Sequence, residues 1–135
     1  MFRSIKSTYV VLAGIVASAG FAFGAAAADL HNGEHHYEEC RTCHALDMPV
    51  IGPPHCNVVG RKAGTFTGFE YTDAMKNSGL TWDEKTLDQF LNDPLTFMPG
   101  TAMGFAGVRD PKDRADLIAY LTKVSSDQKV CAGIK

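Results

Sequence analysis

The chain has 135 residues, 45% hydrophobic and 21% charged, with four cysteines and a formal net charge of −2. This balance excludes a disordered, low-complexity or collagen-like chain. The acidic excess argues against nucleic acid as a partner. Residues 1–28 read as a cleavable export leader. Arg3 and Lys6 make a basic start, Tyr9 to Gly24 is apolar and rich in Ala, Gly and Val, and Ala26, Ala27 and Ala28 supply small residues before Asp29. The alternative is a retained anchor, because Tyr9 to Ala28 is 20 residues, just enough to span a bilayer. Cleavage would leave residues 29–135, one small domain with 11 basic and 15 acidic residues, a net −4.

Gly33 to Cys40 reads as a short helix that runs into Cys40-Arg41-Thr42-Cys43-His44. Two thiols and an imidazole in this order are what covalent haem attachment requires. Each thiol adds across one haem vinyl group, and the following histidine supplies an axial nitrogen. A bare Cys-x-x-Cys can also be a thioredoxin-like redox pair, a zinc half-site or a disulfide. The redox pair belongs near a βαβ pattern, and no such alternation occurs. A structural zinc site needs a second ligand pair, which the isolated Cys56 and Cys131 do not supply. One covalently attached haem c is the expected cofactor.

Further along, Met48 to Pro54 is broken by Pro49, Gly52, Pro53 and Pro54. Asn57 to Tyr71, with Gly60, Gly64 and Gly68, reads as loop. Thr72 to Asn77 reads as a short helix closed by Gly79. Thr81 with Glu84 three residues on predicts a capping box. The helix it opens runs to about Asn92, with Leu87, Phe90 and Leu91 on its apolar face. Asp93 to Val108 reads as loop. Asp110-Pro111 opens a last helix with Ala115, Leu117, Ile118 and Leu121 as its inward stripe. No segment reads as a strand. The fold class is all-α, a few helices and long loops. Loops this long are suspect in a bare small domain, but they are expected when wrapped around one covalently bound haem.

His44 leaves one face of the iron open. A second protein ligand there makes an electron-transfer site, and an open face makes a ligand-binding or peroxide-handling one. The candidates are Met48, Met75, Met98, Met103 and the remaining histidines. Met103 follows Met98-Pro99-Gly100-Thr101-Ala102, a stiff Pro-Gly loop that can aim a thioether at a fixed point. That soft donor favours reduced iron. Met75 and Met98 read as core.

With these residues in view, the chain resembles a class I cytochrome c, in the group of bacterial cytochrome c2 and mitochondrial cytochrome c. The resemblance runs from about Gly33 to Lys123. It rests on the Cys40–His44 motif, Gly52-Pro53, Gly60-Arg61-Lys62-Ala63-Gly64, Gly68-Phe69-Glu70-Tyr71, Leu80-Thr81-Trp82, Pro99-Gly100-Thr101-Ala102-Met103, Phe105-Ala106-Gly107 and Arg114 to Leu121. It implies Met103 as the second axial ligand and a hydrogen bond from His44 to the Pro53 carbonyl. It implies that Arg61, Tyr71, Trp82 and Thr101 hold the haem propionates, and that the Gly33–Tyr37 helix packs on the last helix near Leu117 and Tyr120. It also implies a soluble, periplasmic, monomeric mono-haem electron carrier, not an enzyme. The implied partners are a bc1-type complex, a terminal oxidase, a photosynthetic reaction centre or a periplasmic dehydrogenase, with membranes met only through such complexes. A membrane-tethered carrier, or a haem peroxidase or ligand-binding protein with a labile Met103, are the alternatives.

The chain departs from that family in four places. Phe90 stands where many relatives carry a tyrosine that reaches the ligand sulfur. Met75 replaces a buried asparagine. His55-Cys56 is unusual, and Cys131 lies past the last expected helix; exported cysteines that bind no haem tend to pair, so Cys56 and Cys131 are an expected disulfide. Finally, Leu95, Thr96 and Ala102 occupy lysine positions of mitochondrial relatives and Glu39 precedes the first haem cysteine. Docking would then rely on Leu95, Phe97, Ala102 and Phe105, with electrons leaving near Cys43, Ala102 and Phe105.

Overall fold

In a computed structural model, residues 27–134 are described, and the leader expected over 1–28 lies outside them apart from Ala27 and Ala28. Six helices follow one another: α1 Leu30–Cys40, α2 Asp73–Lys76, α3 Glu84–Asn92, α4 Pro94–Phe97, α5 Pro111–Ser125 and α6 Gln128–Cys131. Among the described residues there is no strand, only an isolated bridge between Lys62 and Thr81. None of these helices is long and apolar enough to cross a membrane.

The caps explain where the elements begin. Helix α1 starts three residues before Gly33, because the Asp29 carboxylate accepts from the amides of His31 and Asn32. Thr72 caps α2 through the Met75 amide. The capping box of α3 is not the expected Thr81 and Glu84 but Asp83 and Thr86. The Asp83 carboxylate accepts from the Thr86 amide at 2.7 Å, and the Asp83 amide donates to the Thr86 hydroxyl at 2.9 Å. Thr81 and Trp82 are committed elsewhere: the Trp82 amide donates to the Arg61 carbonyl and the Gly60 amide to the Trp82 carbonyl, which holds this stretch extended. Helices α4 and α6 fall where loop and tail were expected. Pro94, which ends α3, also opens α4 at its first position behind the Asp93 cap. Asp127 caps the single turn of α6.

The core forms where α1 crosses α5 and α5 meets α3. Gly33 makes the first crossing possible, since a Cβ there would overlap the Asp116 carbonyl oxygen. Tyr37 is buried beside it, its ring 5.4 Å from that of Tyr120. Leu117, Ile118 and Leu121 point inward, as the spacing predicts, but Ala115 is exposed. Its neighbours Arg114 and Asp116 take the buried positions instead. The Arg114 guanidinium donates to Asp88 on α3 at 2.6 Å and to the Val108 carbonyl at 2.8 Å, so its charge is satisfied where Ala115 could offer only a methyl group.

Asp116, 2% exposed, is the polar clasp of the α1–α5 crossing. It accepts from Lys112 Nζ at 2.6 Å, Asn32 Nδ2 at 2.9 Å and the Asp29 amide at 2.9 Å. The Lys112 bond, then the Asn32 and Asp29 bonds, hold its carboxyl down at about 2. An unfolded aspartate titrates near ~4. A carboxyl depressed on folding contributes stability that is complete above that value and disappears as pH falls toward the folded one. The protein is therefore expected to lose stability between about pH 4 and pH 2. Asp116→Asn should flatten that part of the curve when unfolding is followed by circular dichroism against pH; an unchanged acid slope would contradict the assignment.

A disulfide joins Cys56 to Cys131, 75 residues apart, with Cα atoms separated by 5.2 Å. Both cysteines are fully buried. The Asn57 amide donates to the Ser125 carbonyl at 2.7 Å and the Asn57 side chain to the Ile134 carbonyl at 2.8 Å. The tail after α5 is thus fixed to the loop that follows Pro54.

Candidate cofactor site

Helix α1 delivers Cys40 at its last residue, and the chain keeps turning after it. The amides of Cys43 and His44 both donate to the Cys40 carbonyl, at 3.1 and 2.9 Å. The turn sets Cys40, Cys43 and His44 on one wall of a cleft of about 450 Å³. The two thiols are unpaired and half-buried. Burial, reinforced by the charge of Glu39, pushes the Cys40 thiol up to about 11.

The loop after His44 folds back on it. The Gly52 amide donates to the Cys43 carbonyl at 2.8 Å, the His55 amide to Ala45 at 3.1 Å and the Cys56 amide to Leu46 at 2.7 Å. This return brings the Pro53 carbonyl to 2.7 Å from His44 Nδ1. A carbonyl only accepts, so Nδ1 carries the hydrogen and Nε2 keeps its lone pair for a metal. Burial lowers the affinity of His44 for a second proton, and the Pro53 bond works against that shift. A Cβ at Gly52 would overlap His44 Cε1, so only glycine lets the loop pass this close. His55 lies flat against the same ring, centroids 4.3 Å apart and planes 20° off parallel. Its Nδ1 shares a 3.0 Å hydrogen bond with the Tyr37 hydroxyl. Burial, then the neighbouring His44 and Arg61, bring His55 down to about 3, so it is a neutral imidazole at neutral pH.

Met103 also lines the cleft. Its amide donates to the Thr101 hydroxyl at 3.3 Å, and the Thr101 amide to the Met98 carbonyl at 3.0 Å, so the Pro-Gly loop is braced from within. Of the other methionines, Met98 is core and Met48 is 55% exposed, whereas Met75, expected in the core, lines the cleft as well. Arg61, Tyr71, Trp82 and Thr101 line it too. Arg61 donates to the carbonyls of Pro54 and Cys56, each at 2.9 Å, and lies over the Phe66 ring. It therefore braces the loop that carries Pro53, a role the sequence did not disclose. Burial raises the Tyr71 hydroxyl and the nearby Arg61 charge opposes that shift. Phe90 sits at the back, its ring 5.0 Å from that of Trp82 and 6.2 Å from that of Phe97. Phe97, expected at a docking face, is partly buried, with its ring edge-on to that of Phe90.

These residues fit a haem. The cleft is mostly apolar, of a size suited to a cofactor. Its walls carry two thiols three residues apart, an imidazole with one nitrogen free, a thioether, and an arginine with hydroxyl donors for acid groups. Sequence reasoning missed the His55–Tyr37 pair, although His55 was marked as unusual. A histidine six residues before a half-buried arginine gives no sign of which ring it will stack on.

No protein-family model matches the chain. Cytochrome c2 of Rhodomicrobium vannielii is 47% identical over 122 residues, covering 88% of this chain and 94% of that protein. Cytochrome c2 of Blastochloris viridis is 42% identical over 106 residues, covering 76% and 84%. Cytochrome cH from Methylobacterium extorquens superimposes with a TM-score of 0.68 at 45% identity, covering 70% of this chain and 98% of that structure. Identity at this level over nearly the full length of these proteins, on a helical fold with a Cys-x-x-Cys-His turn facing a cofactor-sized cleft, identifies the chain as a member of the class I cytochromes c, electron-transfer proteins that carry one covalently attached haem c.

Proposed function

We propose that this mono-haem electron carrier works in the periplasm with His44 and Met103 as axial ligands. The observation that carries the reading is the His44 Nδ1 bond to Pro53, which leaves Nε2 as the metal-facing nitrogen in a cleft that Met103 also lines. When bound, the haem supplies a one-electron couple between ferrous and ferric iron. The chain's part is to hold still. Pro53 and Gly52 fix the imidazole, and Thr101 braces the loop that carries the thioether. Small rearrangement on each side keeps the barrier to electron transfer low. Cys40 and Cys43 anchor the cofactor through thioethers, and Arg61, Tyr71, Trp82 and Thr101 surround its acid groups.

The Cys56–Cys131 disulfide supports an oxidising compartment and hence export of the chain. Asp29 supports the cleavage point, being the cap of α1 with its amide on Asp116. A redox titration followed by absorption tests the ligation, with intact mass read on the same secreted protein. The expected result is a reversible one-electron wave, the weak red-end band of sulfur ligation in the oxidised form, and a chain beginning at Asp29. Absence of that band would overturn the ligand assignment.

Partner contact takes a particular form on this surface. Ile51 is 72% exposed beside the cleft and Leu95 is 52% exposed, while Glu39 and Glu70 are the charged residues at the cleft besides Arg61. No lysine lines it among the described residues. Association with a redox partner, whether a bc1-type complex, an oxidase, a reaction centre or a periplasmic dehydrogenase, should thus depend weakly on ionic strength. Stopped-flow rates measured across added salt check this; a steep fall would contradict it.

A further inference from the structure

We propose that His55 is a positioning residue that sets the plane of the His44 imidazole, and that Tyr37 acts on that plane only through His55. The inference deepens the ligand assignment above and rests on His44 being the metal-facing imidazole.

A single hydrogen bond at Nδ1 constrains chiefly one distance, so coupled rotation about Cα–Cβ and Cβ–Cγ still lets the ring tip while the bond is kept. Gly52 meets the ring at Cε1 with backbone alone. Neither contact covers the breadth of the face. His55 does, with its ring 4.3 Å away and within 20° of parallel. A flat group resists tipping across its whole area, where a branched aliphatic chain offers a rounded and adjustable surface.

His55 can serve only if it is itself held. Its Nδ1 is tied to the Tyr37 hydroxyl at 3.0 Å, and its backbone amide to the Ala45 carbonyl. Tyr37 is 3% exposed, sits in the middle of α1 and packs on Tyr120 of α5. The α1–α5 crossing is therefore linked to the iron-facing ring through one hydrogen bond and one stack. Second-layer contacts of this kind orient a ligand and tune the metal.

The test uses oxidised holo-protein in four forms: wild type, Tyr37→Phe, His55→Leu and the double variant. Proton resonances of the haem ring methyls report the orientation of an axial imidazole plane, and the midpoint potential is read on the same samples. Both single variants should change the spread of methyl shifts, His55→Leu more than Tyr37→Phe. The double variant should coincide with His55→Leu, because the contacts of the Tyr37 side chain toward His44 run through His55. His55→Phe, which keeps a flat ring without the hydrogen bond, should resemble Tyr37→Phe and carries the test if the leucine variant folds poorly. Ile118→Ala, a core truncation on α5 outside the lining of the cleft, should lower the melting temperature without moving the methyl pattern. The proposal fails if neither single variant moves the pattern, if Tyr37→Phe has its full effect in the His55→Leu background, or if Ile118→Ala moves the pattern as much as His55→Leu. A wild-type spectrum without hyperfine-shifted imidazole protons would instead remove the ligand assignment on which the proposal stands.

Discussion

Met103→Ala is expected to turn the electron carrier into a carbon monoxide binder. Met103 lines the cleft that also holds His44, and its loop is braced by the Thr101 hydroxyl and the Met98 carbonyl. Truncation removes the thioether, and Met98, the other thioether on that loop, is buried in the core. The red-end band should vanish and the reduced form should bind carbon monoxide. Loss of a donor that favours reduced iron should lower the potential by on the order of a hundred millivolts, within the roughly 0.8 V range that axial ligands control. Met75→Ala provides the contrast, because Met75 lines the same cleft. It should keep the band and lose only packing, about 1–2 kcal/mol for a half-buried side chain. If Met75→Ala abolished the band and Met103→Ala kept it, the ligand assignment would be reversed.

The second large effect is expected from the double substitution Cys56→Ala and Cys131→Ala. The disulfide closes a separation of 75 residues and holds two fully buried side chains. A loop of that length corresponds to about 4 kcal/mol of restricted unfolded-state freedom. For a domain of this size that becomes a fall of more than ~10 °C in melting temperature. The loss should be the same with and without reductant in the variant, whereas wild type should approach it only after reduction in denaturant. The loop between Pro54 and Val58 should loosen too, since the Asn57 contacts to Ser125 and Ile134 depend on the tail being held. Amide exchange of Cys56 and Asn57 would report this directly; unchanged melting would show that packing alone holds the tail.

Much of this molecule was legible from its residues because its chemistry is local. Five consecutive positions, Cys40 to His44, disclose the attachment turn, and Asp110-Pro111 opens α5 at the residue the sequence marks. Other features depend on distant partners. Thr81 scores as a cap until the Arg61–Trp82 pairing claims the segment. Ala115 fits an apolar stripe until Asp88 and the Val108 carbonyl offer Arg114 a buried site. Helices α4 and α6 are single turns, too short for periodicity to register, so only their aspartate caps announce them. Arg61 was read as a donor to the cofactor, yet the structure also engages it with the Pro54 and Cys56 carbonyls. The His55 stack arises because a loop of irregular prolines and glycine returns along residues 43–46, and no local pattern encodes that return.

The crossing at Gly33 also bears on the order of events during biosynthesis. The face of α1 that carries Gly33 and Tyr37 meets Asp116 and Tyr120 some 80 positions later, while the Tyr37 hydroxyl meets His55 nearby in sequence. A nascent chain that ends before α5 leaves Gly33 without its partner, and closure waits for the last segment to emerge. The turn bearing Cys40 and Cys43 therefore gains its finished surroundings only when α5 has reached the same compartment.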